Sequence, residues 1–212
     1  MDRRLPPTAD LDRPPLRDQL LDAALDLLAA SGPAAVRVRD VAERAGCSTM
    51  GVYTCFGSKD GLLEGLYAYG FEHLEQALAA VPHVPDPAAH VLHMALAYRR
   101  FALDQPALYA LMFERAMPDF TPSPPARLAS LASYQRFAAA CAPLGAPPEW
   151  AAYVLFCTAH GLVSLELTHR RWGGPIMPIL QPFDPEQTFR RGLEALLRGL
   201  GGPAPEPATG AA

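Results

Sequence analysis

The sequence predicts an all-α fold of about nine helices, with a compact N-terminal head followed by a longer helical bundle, and three observations predict it. Apolar residues recur at three- and four-residue spacing, whereas strand-like alternation is weak throughout. The 23 prolines bracket those periodic stretches rather than interrupt them, as expected of a residue tolerated at helix starts and costly in helix interiors. Residues 36–66, VRVRDVAERAGCSTMGVYTCFGSKDGLLEGL, read as two short helices parted at a Gly and followed by a third.

Taken in order, residues 1–14 are Pro-rich and polar and are expected to form a flexible tail. Arg3, Arg4 and Arg13 suit a minor-groove arm, but a solvated tail is the preferred reading. The Pro-free window 16–32 forms one helix, with Asp18, Asp22 and Asp26 in a stripe at i, i+4, i+8. Window 34–81 holds three. In the first of these, Val38, Val41, Ala42 and Ala45 share a face, and Gly46 follows where the chain leaves through a left-handed conformation. Ser48 is placed to cap the second, which turns Val52 and Phe56 inward and leaves Thr49, Met50, Tyr53, Thr54 and Cys55 outward. The third is long and starts near Ser58. Windows 88–105, 107–117, 126–142, 149–174 and 186–202 each give one helix, the last opened by Asp184 as cap and Pro185 in its first turn. Residues 203–212 are expected to be a second tail.

Two short helices about a Gly, the second tipped with small, polar and aromatic side chains, form the layout of a helix-turn-helix that reads base edges and phosphates. The order Val41-Ala42, Ala45-Gly46, Ser48, Tyr53, Phe56, Ser58-Lys59, Leu62 resembles the N-terminal signature of TetR-type transcriptional repressors over about residues 16–75. That resemblance implies a three-helix helix-turn-helix DNA-binding domain over 15–75 and a regulatory and dimerisation bundle over 76–202. It also implies that Arg39, Thr49, Met50, Gly51 and Thr54 face bases, and that Tyr53, Cys55 and Lys59 face the phosphate backbone. Three positions depart from the family pattern: Arg37 stands where a capping Thr is usual, Met50-Gly51 replaces a small-then-polar pair, and Cys55 replaces a common His. Arg37 is itself within reach of a phosphate, and with Ser48 it completes the expected DNA-binding set. The binding mode therefore transfers and the operator does not.

In the bundle, Tyr98, Phe101, Leu108, Tyr109, Leu111, Met112 and Phe113 crowd around the break at Asp104-Gln105-Pro106. The phrases YRRFALDQPALYALMF and AHGLVSLEL resemble the regulatory domain of a TetR subgroup named for a Trp-His-Gly motif, with Ala159 standing where that Trp would be. The expectation is a mostly apolar effector held by Phe101, Tyr109, Met112, Phe113, Phe137 and Phe156, with His160 as a polar handle. Arg99, Arg100, Arg170 and Arg171 fall near helix ends or outer faces, which disfavours a strongly anionic ligand. Tyr153, Phe156, Cys157, His160, Ser164 and Leu167 form a stripe on the helix of 149–171, and Phe189, Leu193, Leu196, Leu197 and Leu200 form one on the last helix. One bundle can absorb both stripes. A dimer is preferred because two heads on a two-fold axis read a palindromic site, and the resemblance implies an interface made by these two helices. Its expected residues are Tyr153, Ser164, Leu167, Phe189, Leu193, Leu196, Leu197 and Leu200.

Composition narrows the function classes further. Half the residues are apolar and 19% charged, as in a globular protein, and the net charge of −4 gives no general reason to expect nucleic acid. Within residues 36–59, however, Arg37, Arg39, Arg44 and Lys59, the last being the chain's single Lys, outnumber Asp40 and Glu43. The chain shows no 18-residue apolar run and begins too polar for a signal peptide, so a cytoplasmic protein with no membrane partner is expected. Cys47, Cys55, Cys141 and Cys157 show no paired spacing and read as packing residues. His160 with Cys157 and Glu166, Glu166-x-x-His169, and His90 with His93 are each an incomplete catalytic or metal set. No catalytic residue, cofactor or metal is therefore expected. The reading is a repressor that binds double-stranded operator DNA as a homodimer and responds to a small molecule. A helical-bundle enzyme or carrier with a non-binding head is the alternative.

Overall fold

The computed structural model describes residues 14–114, 117, 119–174 and 183–200. The two tails, including Arg3, Arg4 and Arg13, lie outside these residues. Among the described residues every element is helical: α1 (Leu16–Ser31), α2 (Val38–Arg44), α3 (Thr49–Phe56), α4 (Lys59–Ala79), α5 (Pro87–Asp104), α6 (Pro106–Phe113), α7 (Pro124–Arg127), α8 (Leu131–Cys141), α9 (Pro148–Trp172) and α10 (Pro185–Gly199), with three short 3-10 turns. α7 is a single turn, and the other nine match the expected number. The chain forms two compact units that divide between Leu66 and Tyr67, within α4.

In the first unit α1, α2 and α3 pack on one another. α1 buries Leu20, Leu21, Ala23, Ala24 and Leu28, one stripe at helical spacing, and α2 adds Val41 and Ala42. Val36, fully buried ahead of α2, and Val52, fully buried in α3, close this small core. Gly46 has φ 67°, a left-handed conformation that a Cβ would strain, and the turn it makes lets the Cys47 N–H donate to the Ala42 carbonyl at 2.9 Å. Arg37 and Ser48 occupy the N-cap positions of α2 and α3, yet neither side chain makes a capping hydrogen bond. α4 is capped instead by Ser58, whose hydroxyl accepts from the Gly61 N–H at 3.0 Å.

In the second unit α8 packs on α9 and α5, and α10 packs on α9 and α5. Asp86 caps α5 and Asp184 caps α10, accepting from the Gln187 N–H at 2.6 Å with Pro185 in the first turn. Arg99, expected on an outer face, is 8% exposed and makes a bidentate pair with Glu166 (2.8 and 2.9 Å), itself 5% exposed. Glu186 of α10 and Arg170 of α9 complete the cluster at 3.2 and 2.9 Å. Neutralised on both sides, these charges join α5, α9 and α10.

α9 corrects one expectation from the sequence. It contains an 18-residue window of mean hydropathy 1.3, making it the one helix among the described residues long and apolar enough to cross a membrane. Its buried side chains, Ala151, Ala152, Leu155, Ala159, Val163 and Glu166, face the bundle. Tyr153, Leu165 and Trp172 stay 61%, 47% and 67% exposed on the same helix.

Candidate nucleic-acid interface and ligand cavity

α3 meets its neighbours through Val52, so the opposite side of this two-turn helix is turned to solvent. Met50 is 69% and Tyr53 48% exposed, and Thr49 and Thr54 are exposed beside them. The Thr54 hydroxyl donates to the Met50 carbonyl at 2.8 Å and so offers an incoming group its lone pairs. Arg37, Arg39 and Lys59 are exposed near these tips in sequence, and Cys55 is half-buried.

Gly51 is placed differently from its expected base-facing role. A Cβ there would lie 3.3 Å from the Cys47 sulfur and 3.4 Å from Leu16, so this position turns toward the packed side of α3. A side chain there would be in tight contact with Cys47. Arg44 is also withdrawn from the free positive charge, because it pairs with Asp26 of α1 at 2.7 Å. That pair holds one member of the acidic stripe against α2. Arg17, not singled out from the sequence, is a further cation beside α3: its guanidinium lies 5.3 Å from the centre of the Phe56 ring. Its position at the start of α1 was the available signal.

The second unit contains a cavity of about 310 Å³ walled by α4, α5, α6, α8 and α9. Met112, Phe113, Phe137 and Phe156 of the expected set line it. Tyr67 and Phe71, one turn apart on α4, were not anticipated, because the resemblance over residues 16–75 drew α4 into the head. Ala159 also lines the cavity. Phe101 is 7% exposed in the bundle core, and Tyr109 and His160 stand behind the wall.

His160 has one ring nitrogen engaged within the protein. Its Nδ1 lies 2.6 Å from the Tyr109 hydroxyl and 3.3 Å from that of Tyr98, and Tyr98 donates to Tyr109 at 3.1 Å. A consistent proton order runs Tyr98 to Tyr109 to Nδ1 of a neutral imidazole. The His160 ring also stacks on Phe156 at 5.6 Å. Burial pushes its pKa below the ordinary 6.5, with the Glu114 carboxylate opposing, and burial raises both tyrosine hydroxyls. Ser164, which donates to Glu114 at 3.0 Å, carries the network outward.

The stripe assigned to assembly is largely taken up inside the protomer. Phe189, Leu193, Leu197 and Leu200 are 1%, 0%, 9% and 2% exposed, while Leu196, Leu167 and Ser164 are half-buried and Tyr153 is open. Among the remaining expectations, His90 meets His83 at 4.9 Å rather than His93, Glu166 is engaged by two arginines, and Cys157 is exposed rather than packed. No group of three or more His, Cys, Asp or Glu side chains is placed to hold a metal among the described residues.

Comparison with known proteins gives the same two parts. Residues 20–66 match the family model described as bacterial regulatory proteins, tetR family, and residues 91–196, half of the chain, match that of a tetracyclin repressor-like C-terminal domain. The chain is 44% identical over 59 residues to the HTH-type transcriptional regulator AlkX of Mycobacterium tuberculosis, 28% of each protein. It is 34% identical over 83 residues to the HTH-type nicotine-responsive transcriptional repressor HdnoR of Paenarthrobacter nicotinovorans, covering 39% of this chain and 40% of that one. These matches thus span less than half the length of either relative. Among solved structures, a Rhodococcus protein of unknown function superposes with a TM-score of 0.75 at 24% identity, over 92% of this chain and all of that one. The TetR family transcriptional regulator PfmR from Thermus thermophilus does so with 0.58 at 22% identity, over 85% and 98%. At these identities the likeness is one of fold.

Proposed function

The chain belongs to the TetR family of bacterial regulatory proteins, and from that premise we propose that it is a cytoplasmic repressor, binding palindromic operator DNA as a homodimer and released by a small, mostly apolar effector. The observation that carries this reading is α3. Buried through Val52 alone, it holds Thr49, Met50, Tyr53 and Thr54 in solvent on a turn fixed by Gly46. Thr49, Met50 and Arg39 are the base readers in this proposal, and Tyr53, Arg37, Lys59 and Arg17 hold phosphates. The cavity in the second unit supports the effector half. α4 supplies Lys59 at its start and Tyr67, Phe71, Leu74 and Leu78 to the cavity wall, so a ligand that displaces this helix acts on the chain segment that begins beside the reading helix. A ligand of unequal affinity for two arrangements of the heads shifts their population accordingly.

The C-terminal unit is read as following the Trp-His-Gly subgroup, with Ala159 in the place of the Trp. Ala159 lines the cavity, so an indole at this position projects into it. A gel-shift of the purified protein on the intergenic DNA flanking its own gene tests the reading: retention should weaken steeply with salt as phosphate contacts are screened. Ala159→Trp should retain the DNA and lose effector response. A carrier with a non-binding head gives no salt-dependent retention at all.

A further inference from the structure

The polar atoms of the effector cavity carry a chemical requirement that goes beyond apolarity. None of its lining side chains is Asp, Glu, Lys, Arg or His, so an ionic group entering it meets no counter-charge in the lining, and Arg127, whose charge acts on the Tyr67 hydroxyl, stands outside that lining. Five of its lining residues carry a hydroxyl: Tyr67, Tyr98, Ser130, Ser133 and Tyr134. A hydroxyl has one proton to donate and two lone pairs to accept with. Ser130 donates its proton to the Arg127 carbonyl at 2.8 Å, and Ser133, 5% exposed, donates to the Ser130 carbonyl at 3.0 Å. Tyr134 donates to the Glu149 carbonyl at 3.1 Å and Tyr98 to the Tyr109 hydroxyl at 3.1 Å. Four of the five protons are thus already engaged in the protein, and what these groups present to a ligand is lone pairs.

We propose that the effector is a neutral, apolar molecule carrying an O–H or N–H donor, that Ser133 and Ser130 are the residues that receive it, and that carboxylates and capped ethers or esters of the same skeleton are refused. A carboxylate brings only acceptors and a charge to a wall on which Tyr67 alone has a proton to give. A methyl ether brings an acceptor and no proton. A hydroxyl or aniline nitrogen brings the missing donor and leaves its own lone pair for Tyr67. The aromatic wall of Phe71, Phe113, Phe137 and Phe156 suits a planar body for that group. This inference rests on the cavity being the effector site, as proposed above.

The test uses three probes of one skeleton, para-hexylphenol, para-hexylanisole and para-hexylbenzoate, titrated by calorimetry into the full chain and into Ser133→Ala and Ser130→Ala. The phenol should bind the wild-type protein roughly ten-fold more tightly than the anisole, one hydrogen bond's worth, and the benzoate more weakly still. At least one serine variant, with its unliganded melting temperature unchanged, should bring the phenol to the level of the anisole, and Ser133→Thr should retain the preference. Equal affinities for phenol and anisole, preference for the benzoate, or binding of none of the three overturns the proposal. A parallel gel-shift separates it from the reading beneath it: phenol that binds selectively without releasing DNA leaves the donor rule standing and removes the effector role, whereas release by phenol and anisole alike does the reverse.

Discussion

Two residues of the head show how differently a side chain can matter at adjacent levels of the structure. A Cβ at Gly61 would collide with the Phe56 carbonyl oxygen, a backbone atom that cannot swing aside. Gly61→Ala must therefore move the α3–α4 turn, and a loss of about 2–4 kcal/mol in denaturant unfolding of the head, with loss of DNA binding, is expected. Arg39→Ala should leave unfolding unchanged and cost roughly 1–3 kcal/mol of operator affinity with relaxed preference at one base pair, because Arg39 is exposed and contributes nothing to the core. His160 makes the corresponding case in the second unit. Its folded pKa lies below the ordinary 6.5, so as pH falls through 6.5 the unfolded chain takes up the proton first. The stability it contributes is present above pH 6.5 and declines toward the lowered folded pKa, below which this contribution is flat. His160→Phe should remove that slope and cost about 1–3 kcal/mol at neutral pH, because Tyr109 loses its acceptor. Thermal melts between pH 8 and pH 5 of both proteins check it, and an unchanged slope in the variant assigns the pH response elsewhere.

The helices were legible where a residue's own chemistry marks an end. Pro and Asp at the starts of α5 and α10 and Gly after α2 act locally, so a single sequence displays them. What each apolar face meets is not local. The stripe Phe189, Leu193, Leu197 was read at the right spacing and assigned to a partner chain, yet α9 and α5 of the same protomer cover it. Leu193→Glu is accordingly expected to unfold the protein rather than dissociate it. Arg99 was misplaced for the same reason, since nothing in its own stretch announces a carboxylate 67 residues away. The resulting pair makes a sharp prediction. Arg99→Met leaves the buried Glu166 with Arg170 as its one partner, and Glu166→Leu leaves the buried Arg99 with Glu186, so each should cost about 3 kcal/mol, while the double variant should recover most of that loss, because two apolar groups replace a pair whose attraction was offset by desolvation. Chemical denaturation of the four proteins measures the cycle, and additive losses would show that the pair is not coupled.

For the molecule as a whole, the same covering of α10 relocates the proposed dimer contact rather than removing it. Tyr153, Leu165 and Trp172 follow one side of α9 at 61%, 47% and 67% exposure, with Cys157 and Gly161 between them, and Leu196 is the half-buried apolar residue that α10 leaves accessible. Scattered single apolar side chains are ordinary on a monomer, but a continuous run along α9, the one helix among the described residues long and apolar enough to cross a membrane, is what a partner helix covers. A second copy presenting the same run satisfies it by two-fold symmetry, and two reading heads then address two half-sites. Tyr153→Arg combined with Leu165→Arg should therefore give a folded monomer, since neither side chain contributes to the protomer core, with an unfolding midpoint close to that of the wild-type protein under dilute conditions. Operator affinity should fall by at least ten-fold while affinity for a single half-site stays as it was, because each head keeps its own contacts and loses only the linkage between them. Sedimentation together with gel-shifts on whole and half operators reads both quantities. A dimer that survives this double substitution would move the interface off α9, and a monomer that binds the full operator undiminished would remove the need for two heads.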